Sequence, residues 1–91
     1  MTDGKLVSII NEIIMKLLFR GFERVDCRFD DLRGDLNVYV SKHIYNHSGS
    51  IGSFSLEQII TSEMITNVSV DAIVDTIVNE YECRRKEKLY E

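Results

Sequence analysis

The spacing of apolar residues changes twice along the chain, and this change limits the fold more than any other feature. From Gly4 to Arg20, and again from Ser69 through Tyr81, apolar residues recur at the 3.6-residue period of an amphipathic helix. Between these segments, apolar residues occupy every second position of two predicted strands: Val25, Cys27 and Phe29, then Leu36, Val38 and Val40. Each element has one apolar side that must be buried against another element. We therefore predict a two-layer α+β sandwich, with the N- and C-terminal helices packed on one face of a small antiparallel sheet.

Residues suited to helix ends and turns support these boundaries. Asp3 can cap the first helix through its carboxylate, and Gly21 can end it in the left-handed conformation. Ser69 can cap the last helix in the same way as Asp3 caps the first. Gly34, in the segment DLRGD, predicts a turn that joins the two strands as a hairpin.

The middle of the chain has two interpretations. The segment YNHSGSIGS, residues 45–53, is rich in Gly, Ser and Asn and predicts a flexible loop. Ser55 and Gln58 fit a capping box, which favours a helix. The alternation around Phe54 instead favours a third strand over Ile51–Leu56, followed by one or two helical turns. We favour the strand, which gives the order α-β-β-(β)-α, but Ile51–Met64 stays open between strand and helix.

Length and composition indicate one ordinary globular domain over residues 1–91, with a radius of gyration of about 12 Å and a body roughly 30 Å across. Asn11, Glu12 and Lys16 interrupt the apolar N-terminal segment, so we expect neither a signal peptide nor a membrane span. A cytoplasmic location with reduced thiols follows as an expectation. Cys27 is predicted to be an inert core thiol. Cys83 is expected to be exposed, and its reactivity is left open.

Several short patterns resemble functional motifs, but each has a simpler explanation. Arg33–Asp35 reads RGD and is interpreted as a hairpin tip. Asp30 and Asp31 lack the ligand order of a calcium loop and suit a turn. His43 and His47 have a metal-like spacing only within a helix, and no third ligand is evident. No catalytic triad or phosphate loop occurs, so we predict no enzyme, no cofactor and no metal.

Negative charge is concentrated in one part of the chain. The formal net charge is −4, and the segment from His43 to Glu82 has acidic residues but neither Lys nor Arg. We call its six acids the acidic ridge: Glu57, Glu63, Asp71, Asp75, Glu80 and Glu82. Asp71, Asp75 and Glu82 fall within about 40° of one another at about 100° per residue of a helix. A solvated helix face explains this pattern, and imitation of the phosphates of a duplex is the functional alternative.

This proline-free, Ile-rich, acidic chain, with helices flanking a small sheet, resembles phage-encoded antirestriction DNA mimics. The resemblance rests on size, charge layout and element order, and no motif carries it. It implies a dimer that presents carboxylates to a basic DNA-binding protein. The element order also resembles the double-stranded RNA-binding domain, which contacts phosphates with basic residues at the start of its last helix. At that place this chain has Asp71 and Asp75.

These observations predict a non-enzymatic interaction protein. The first hypothesis is a DNA-mimic-like inhibitor that meets a basic DNA-binding protein or nuclease through the acidic ridge, without binding nucleic acid or membrane itself. A homodimer is expected, with contacts at Met15 and Phe19 and at the open sheet face around Tyr39, because uncovered apolar side chains favour a two-fold contact. The alternatives are an adaptor subunit that docks through an apolar patch and a nucleic-acid-binding module.

Overall fold

The computed structural model describes residues 4–46 and 49–89. Three strands lie between one N-terminal helix and two C-terminal helices, which confirms the predicted α+β order and the one or two helical turns expected after the third strand. The elements are α1 (Gly4–Phe19), β1 (Arg24–Asp30), β2 (Asp35–Asn46), β3 (Gly49–Ile60), α2 (Ser62–Asn67) and α3 (Val70–Leu89).

The strands form one antiparallel sheet in the order β1-β2-β3. The register places Val25 opposite Val40, and Val40 in turn opposite Leu56. Residues that face each other across strands share a face of the sheet, so the alternating apolar residues of all three strands collect on one side. α1 and α3 cover that side, as predicted, and we call the other side the open face.

The core lies between the helices and this single apolar face. Its buried side chains come from α1, the α1–β1 connection, the three-stranded sheet and α3: Ile13, Leu17, Phe22, Leu36, Val38, Val40, Ile60, Ile73, Val74, Ile77 and Tyr81. Tyr81 is fully buried and makes edge contacts with Phe22 and Phe54, with ring centroids 5.0 and 5.3 Å apart. Its hydroxyl donates a hydrogen bond to the carbonyl of Phe54 (3.2 Å). Tyr81 therefore attaches the C-terminal helix to β3 and to the α1–β1 connection.

The predicted helix ends and turn are confirmed where the structure describes them. Gly21 has φ of 100° directly after α1, and Gly34 has φ of 72° in the β1–β2 turn. The Ser69 hydroxyl accepts a hydrogen bond from the Ala72 amide (3.2 Å) and caps α3. The predicted cap Asp3 lies outside the described residues.

For the middle of the chain, the favoured third strand over Ile51–Leu56 is confirmed, because it lies within β3, and the predicted loop is wrong. Residues 45–53 do not form a long loop, because β2 continues to Asn46 and β3 begins at Gly49. Ser55 and Gln58 do not cap a helix, since both lie within β3, and Thr61 caps α2 instead by accepting from the Met64 amide (3.3 Å). Local composition favoured the loop and the helix, but pairing with β2 satisfies the backbone of this segment and extends the strand.

The molecule is longer than the size estimate predicted. Its radius of gyration is 14.2 Å and its extents are 47 × 22 × 20 Å. The cause is the β2–β3 hairpin, because twelve-residue strands rising 3.3 Å per residue span about 40 Å. β1 has only seven residues, so the far end of this hairpin extends beyond it.

The two cysteines differ in their surroundings. Cys27 is half-buried on β1 and packs against the core, as predicted, while Cys83 is exposed on α3. Burial, and secondarily the charge of Asp26, raises the pKa of the Cys27 thiol to about 11. Both cysteines are free. Within residues 4–46 and 49–89, no helix has the length and apolar content needed to cross a membrane.

Replacing Tyr81 tests its place in the core. We expect Tyr81→Ala to lower the free energy of unfolding by about 3–5 kcal/mol, because it leaves a cavity between α3 and the sheet. Tyr81→Phe removes only the hydrogen bond to Phe54 and should lower it by about 1 kcal/mol. Urea titration measures both values. Tyr45→Ala is the control, since Tyr45 is 70% exposed, and an effect as large as that of Tyr81→Ala would contradict the assignment.

Candidate interaction surface

The six acids of the acidic ridge do not form one continuous surface. Asp71, Asp75, Glu80 and Glu82 lie on α3, and Glu63 lies on α2. Glu57 lies on β3 opposite Tyr39, and it faces the open side of the sheet, away from the helices. The structure therefore places four of the acids on one helix without gathering them, because at 100° per residue Glu80 lies about 180° around α3 from Asp71, and Glu57 lies on the other face of the sheet.

Two of the α3 acids form ion pairs with α1. Lys16 contacts Asp71, and the Arg20 guanidinium lies 2.5 Å from the Asp75 carboxylate. The hydrogen bond with Asp71 raises the pKa of the Lys16 ammonium above its ordinary value. Both carboxylates stay accessible, because the side chains of Asp71 and Asp75 are 77% and 56% exposed. We call the line of contact between α1 and α3 the seam. It carries alternating positive and negative charges, so it is not uniformly negative.

The other two α3 acids also have basic neighbours. Glu80 pairs with Arg84 at 2.7 Å, one helical turn away. Glu82 pairs with Arg85 at 2.7 Å and lies 3.9 Å from the Lys42 ammonium. Four of the six acids are therefore paired, with cations from α1, from β2 and from the C-terminal part of α3, all outside the sequence segment from His43 to Glu82. Exposed pairs of this kind are weak, but they cancel much of the local field.

An apolar groove lies beside the ion pairs of the seam. We call it the α1–α3 groove, and its volume is about 390 Å³. Its lining residues are Met15, Lys16, Phe19, Arg20, Asp71 and Val74. Phe19 and Met15 are one helical turn apart and are 92% and 69% exposed. Large apolar side chains held this far from the core are typical of an interaction site.

The third residue predicted at the dimer contact lies elsewhere. Tyr39 is on β2 and faces the open side of the sheet, between Asp26 and Glu57 in the register. The Arg24 guanidinium lies 5.6 Å from the centre of its ring. Because α1 is on the other side of the sheet, Tyr39 cannot share one flat contact with Met15 and Phe19.

A carboxylate–histidine pair was not predicted from the sequence. One Glu23 oxygen accepts a hydrogen bond from the His43 amide and lies 2.9 Å from the Nδ1 atom of the same residue. The bond from the amide, followed by that from the ring, lowers the pKa of Glu23. Twenty residues separate the two, so only the β1–β2 register could have revealed the pair. The pair borders a cavity of about 470 Å³ that also includes Lys42 and Arg85.

The remaining sequence candidates lie in the β1–β2 turn and at the far end of β2. Arg33, Gly34 and Asp35 form the tip and end of the β1–β2 turn, where Asp30 accepts from the Leu32 amide (3.0 Å). His47 lies outside the described residues, so its spacing from His43 is untested. Among the residues that the structure does describe, no group of three or more His, Cys, Asp or Glu is placed to hold a metal ion.

Glu23 should contribute to the pH dependence of stability. Its pKa is lowered in the folded chain, so its stabilisation is present at neutral pH and is lost as the pH falls below about 4, near the ordinary Glu pKa. We expect Glu23→Gln to be less stable than the parent chain at pH 7 and to approach it at pH 3. Thermal unfolding across this range measures the difference. Glu57→Gln is the matched control, and an equal loss in both variants at pH 7 would contradict the assignment.

Comparison with known proteins found no relative of this chain. No family model matches the chain, and neither a curated protein nor a solved structure matches it. The resemblance to antirestriction DNA mimics stays a prediction that rests on size, charge layout and element order.

Proposed function

We propose that this chain is a non-enzymatic interaction protein that docks on another protein through the α1–α3 groove. The observation that carries the proposal is the exposure of Phe19, at 92%, beside Met15 and above Val74. Burying a side chain of this type in a partner contributes roughly 1.5–3 kcal/mol. Aromatic anchors of this kind dominate the energy of protein interfaces.

The shape of the groove favours an amphipathic helix as the occupant. Two helices side by side leave a furrow that a third helix can fill, with apolar side chains one turn apart entering it. The rims carry both charge signs, at Lys16 and Arg20 on one side and Asp71 on the other. A helix with acidic residues on one side of its apolar stripe and basic residues on the other could pair with Lys16 and Arg20 on one rim and with Asp71 on the other. The proposed partner is therefore a protein that presents such a helix.

Photo-crosslinking tests the occupant directly. p-Benzoylphenylalanine at position 19, in protein produced in its native host, should crosslink to a peptide with apolar residues spaced three and four apart. Position 32 is the matched control, because Leu32 is 97% exposed in the β1–β2 turn, away from the groove. Equal crosslinking at positions 19 and 32, or crosslinking of position 19 only to a second copy of this chain, would reject the proposal.

The same surface gives a quantitative prediction. Phe19→Ala should weaken binding of the crosslinked peptide by at least about 30-fold, or about 2 kcal/mol, as measured by calorimetry. The stability of the chain itself should change by less than about 0.5 kcal/mol, because the side chain is exposed. Leu32→Ala should change neither quantity.

The DNA-mimic hypothesis is the second candidate, and the exposure of Asp71 and Asp75 favours it. Weak surface pairs can exchange their cations for those of a basic partner. Neutralising Lys16 and Arg20 with glutamine should then strengthen binding to that partner, while Asp71→Asn with Asp75→Asn should weaken it. Binding measured between 50 and 300 mM salt should also fall steeply. An affinity that is indifferent to salt and to both pairs of substitutions would reject the mimic and agree with docking through the groove.

A further inference from the structure

β1 is an edge strand whose outer side is unpaired in the described sheet. β2 pairs with it on one side only, and the strand order ends there. The backbone groups along such an edge can accept another strand. A cavity of about 650 Å³ lies on the open face, where Arg24, Asp26 and Arg28 of this strand line it together with Tyr39 and Glu57 of the neighbouring strands. The side chains of Arg24, Asp26 and Arg28 are exposed, so solvent reaches the open face of β1.

The charges of β1 alternate in sign along the open face. Arg24, Asp26, Arg28 and Asp30 occupy every second position, and the first three are exposed. We propose that β1 pairs antiparallel with β1 of a second copy across a two-fold axis at Cys27, forming a continuous six-stranded sheet. In this register Arg24 lies opposite Asp30 of the second copy, and Asp26 lies opposite its Arg28. Every charge on the open face of the strand then faces its opposite.

Neighbouring registers lack this match. A shift by two residues in one direction places Asp26 opposite Asp26 of the second copy and Arg24 opposite its Arg28. The same shift in the other direction places Arg28 opposite Arg28 and Asp26 opposite Asp30. Like charges directly opposite each other destabilise a sheet. A shift by one residue would put apolar side chains on the open face. The sequence of β1 thus selects one self-pairing.

The inner face of β1 has matching apolar contacts. Val25, Cys27 and Phe29 are only half-buried in the single chain, although they pack against the core. The two-fold register places Val25 opposite Phe29 of the second copy and Cys27 opposite Cys27. Pairing would complete the burial of all three. The two Cys27 Cα atoms would lie about 4.5–5.5 Å apart, within the range of a disulfide.

α1 packs on β1 and α3 packs on β3, and the side of α1 that faces away from α3 carries an uncovered apolar stripe. Val7 and Leu18 are 45% and 46% exposed, and Ile14 is half-buried between them. At 100° per residue these three lie about 100–140° around the helix from the fully buried Ile13, on the flank opposite the side that pairs with α3. The two-fold axis at β1 brings this flank against the same flank of the second copy, as an antiparallel helix pair. Two separate surfaces therefore point to one dimer.

The interface is modest in size and distinct from the α1–α3 groove. Seven strand residues and three helix residues contribute from each copy, compared with roughly 20–30 per side in a standard interface. We therefore expect a dissociation constant in the micromolar range. The groove lies on the other flank of α1, so the dimer leaves Phe19 free for a partner.

Charge exchange between two positions tests the register. Asp26→Arg places two arginines against each other in each half of the interface, and Arg28→Asp does the same with acids. Each single variant should weaken dimerisation at least tenfold in sedimentation equilibrium. The double variant Asp26→Arg with Arg28→Asp restores opposite charges and should return to within about threefold of the parent chain. Circular dichroism verifies that every variant is folded.

A second measurement detects the axis itself. In the Cys83→Ser variant, Cys27 is the remaining thiol. The oxidant diamide accepts the two protons and two electrons that are released when two Cys27 thiols form a disulfide. A covalent dimer should accumulate at protein concentrations where the parent chain self-associates, and less of it in Arg28→Asp. The proposal is overturned if the parent chain stays monomeric at several hundred micromolar, if the single variants dimerise like the parent, or if the double variant fails to recover.

Discussion

The structure depends on a sheet that buries only one of its faces. Apolar residues alternate along all three strands, the register places them on one side, and α1 and α3 cover that side. Tyr81 joins the layers by contacting Phe22 in the α1–β1 connection and Phe54 in the middle of β3. This arrangement completes the core with two helices and leaves other regions uncovered, among them the open face, the β1 edge and the outer sides of α1. Docking through the α1–α3 groove uses one side of α1, and the proposed dimer uses the β1 edge together with the other side of α1.

The same packing explains why concentrated negative charge does not become a negative surface. The core pairs α1 with α3 side by side, so Lys16 and Arg20 lie next to Asp71 and Asp75. Exposed pairs add little stability, yet each cation offsets the field of its neighbouring carboxylate. Specificity on this surface must therefore come from apolar contacts and from the pattern of charges more than from net charge.

Much of the fold could be predicted because it is encoded locally. The alternation of Val25 to Phe29, the helical periods and the turn at Gly34 each depend on neighbours a few residues away. Prediction failed where distant pairing decides the outcome. β3 extends through a Gly- and Ser-rich segment because β2 is beside it, and Glu23 finds His43 only through the strand register. The ion pairs of Asp71 and Asp75 were hidden for the same reason, since Lys16 and Arg20 come from α1, whereas the pairs of Glu80 and Glu82 join neighbours on α3 that helical spacing could have revealed.

Amide hydrogen exchange of the dilute chain tests one-sided burial most directly. At concentrations well below a micromolar, central β2 should be the most protected element, because it is hydrogen-bonded on both sides. In β1, alternate amides should exchange rapidly, because those that point outward from the edge have no strand to bond. Uniform protection along β1 under these conditions would contradict the account, since the edge would then be covered within a single chain.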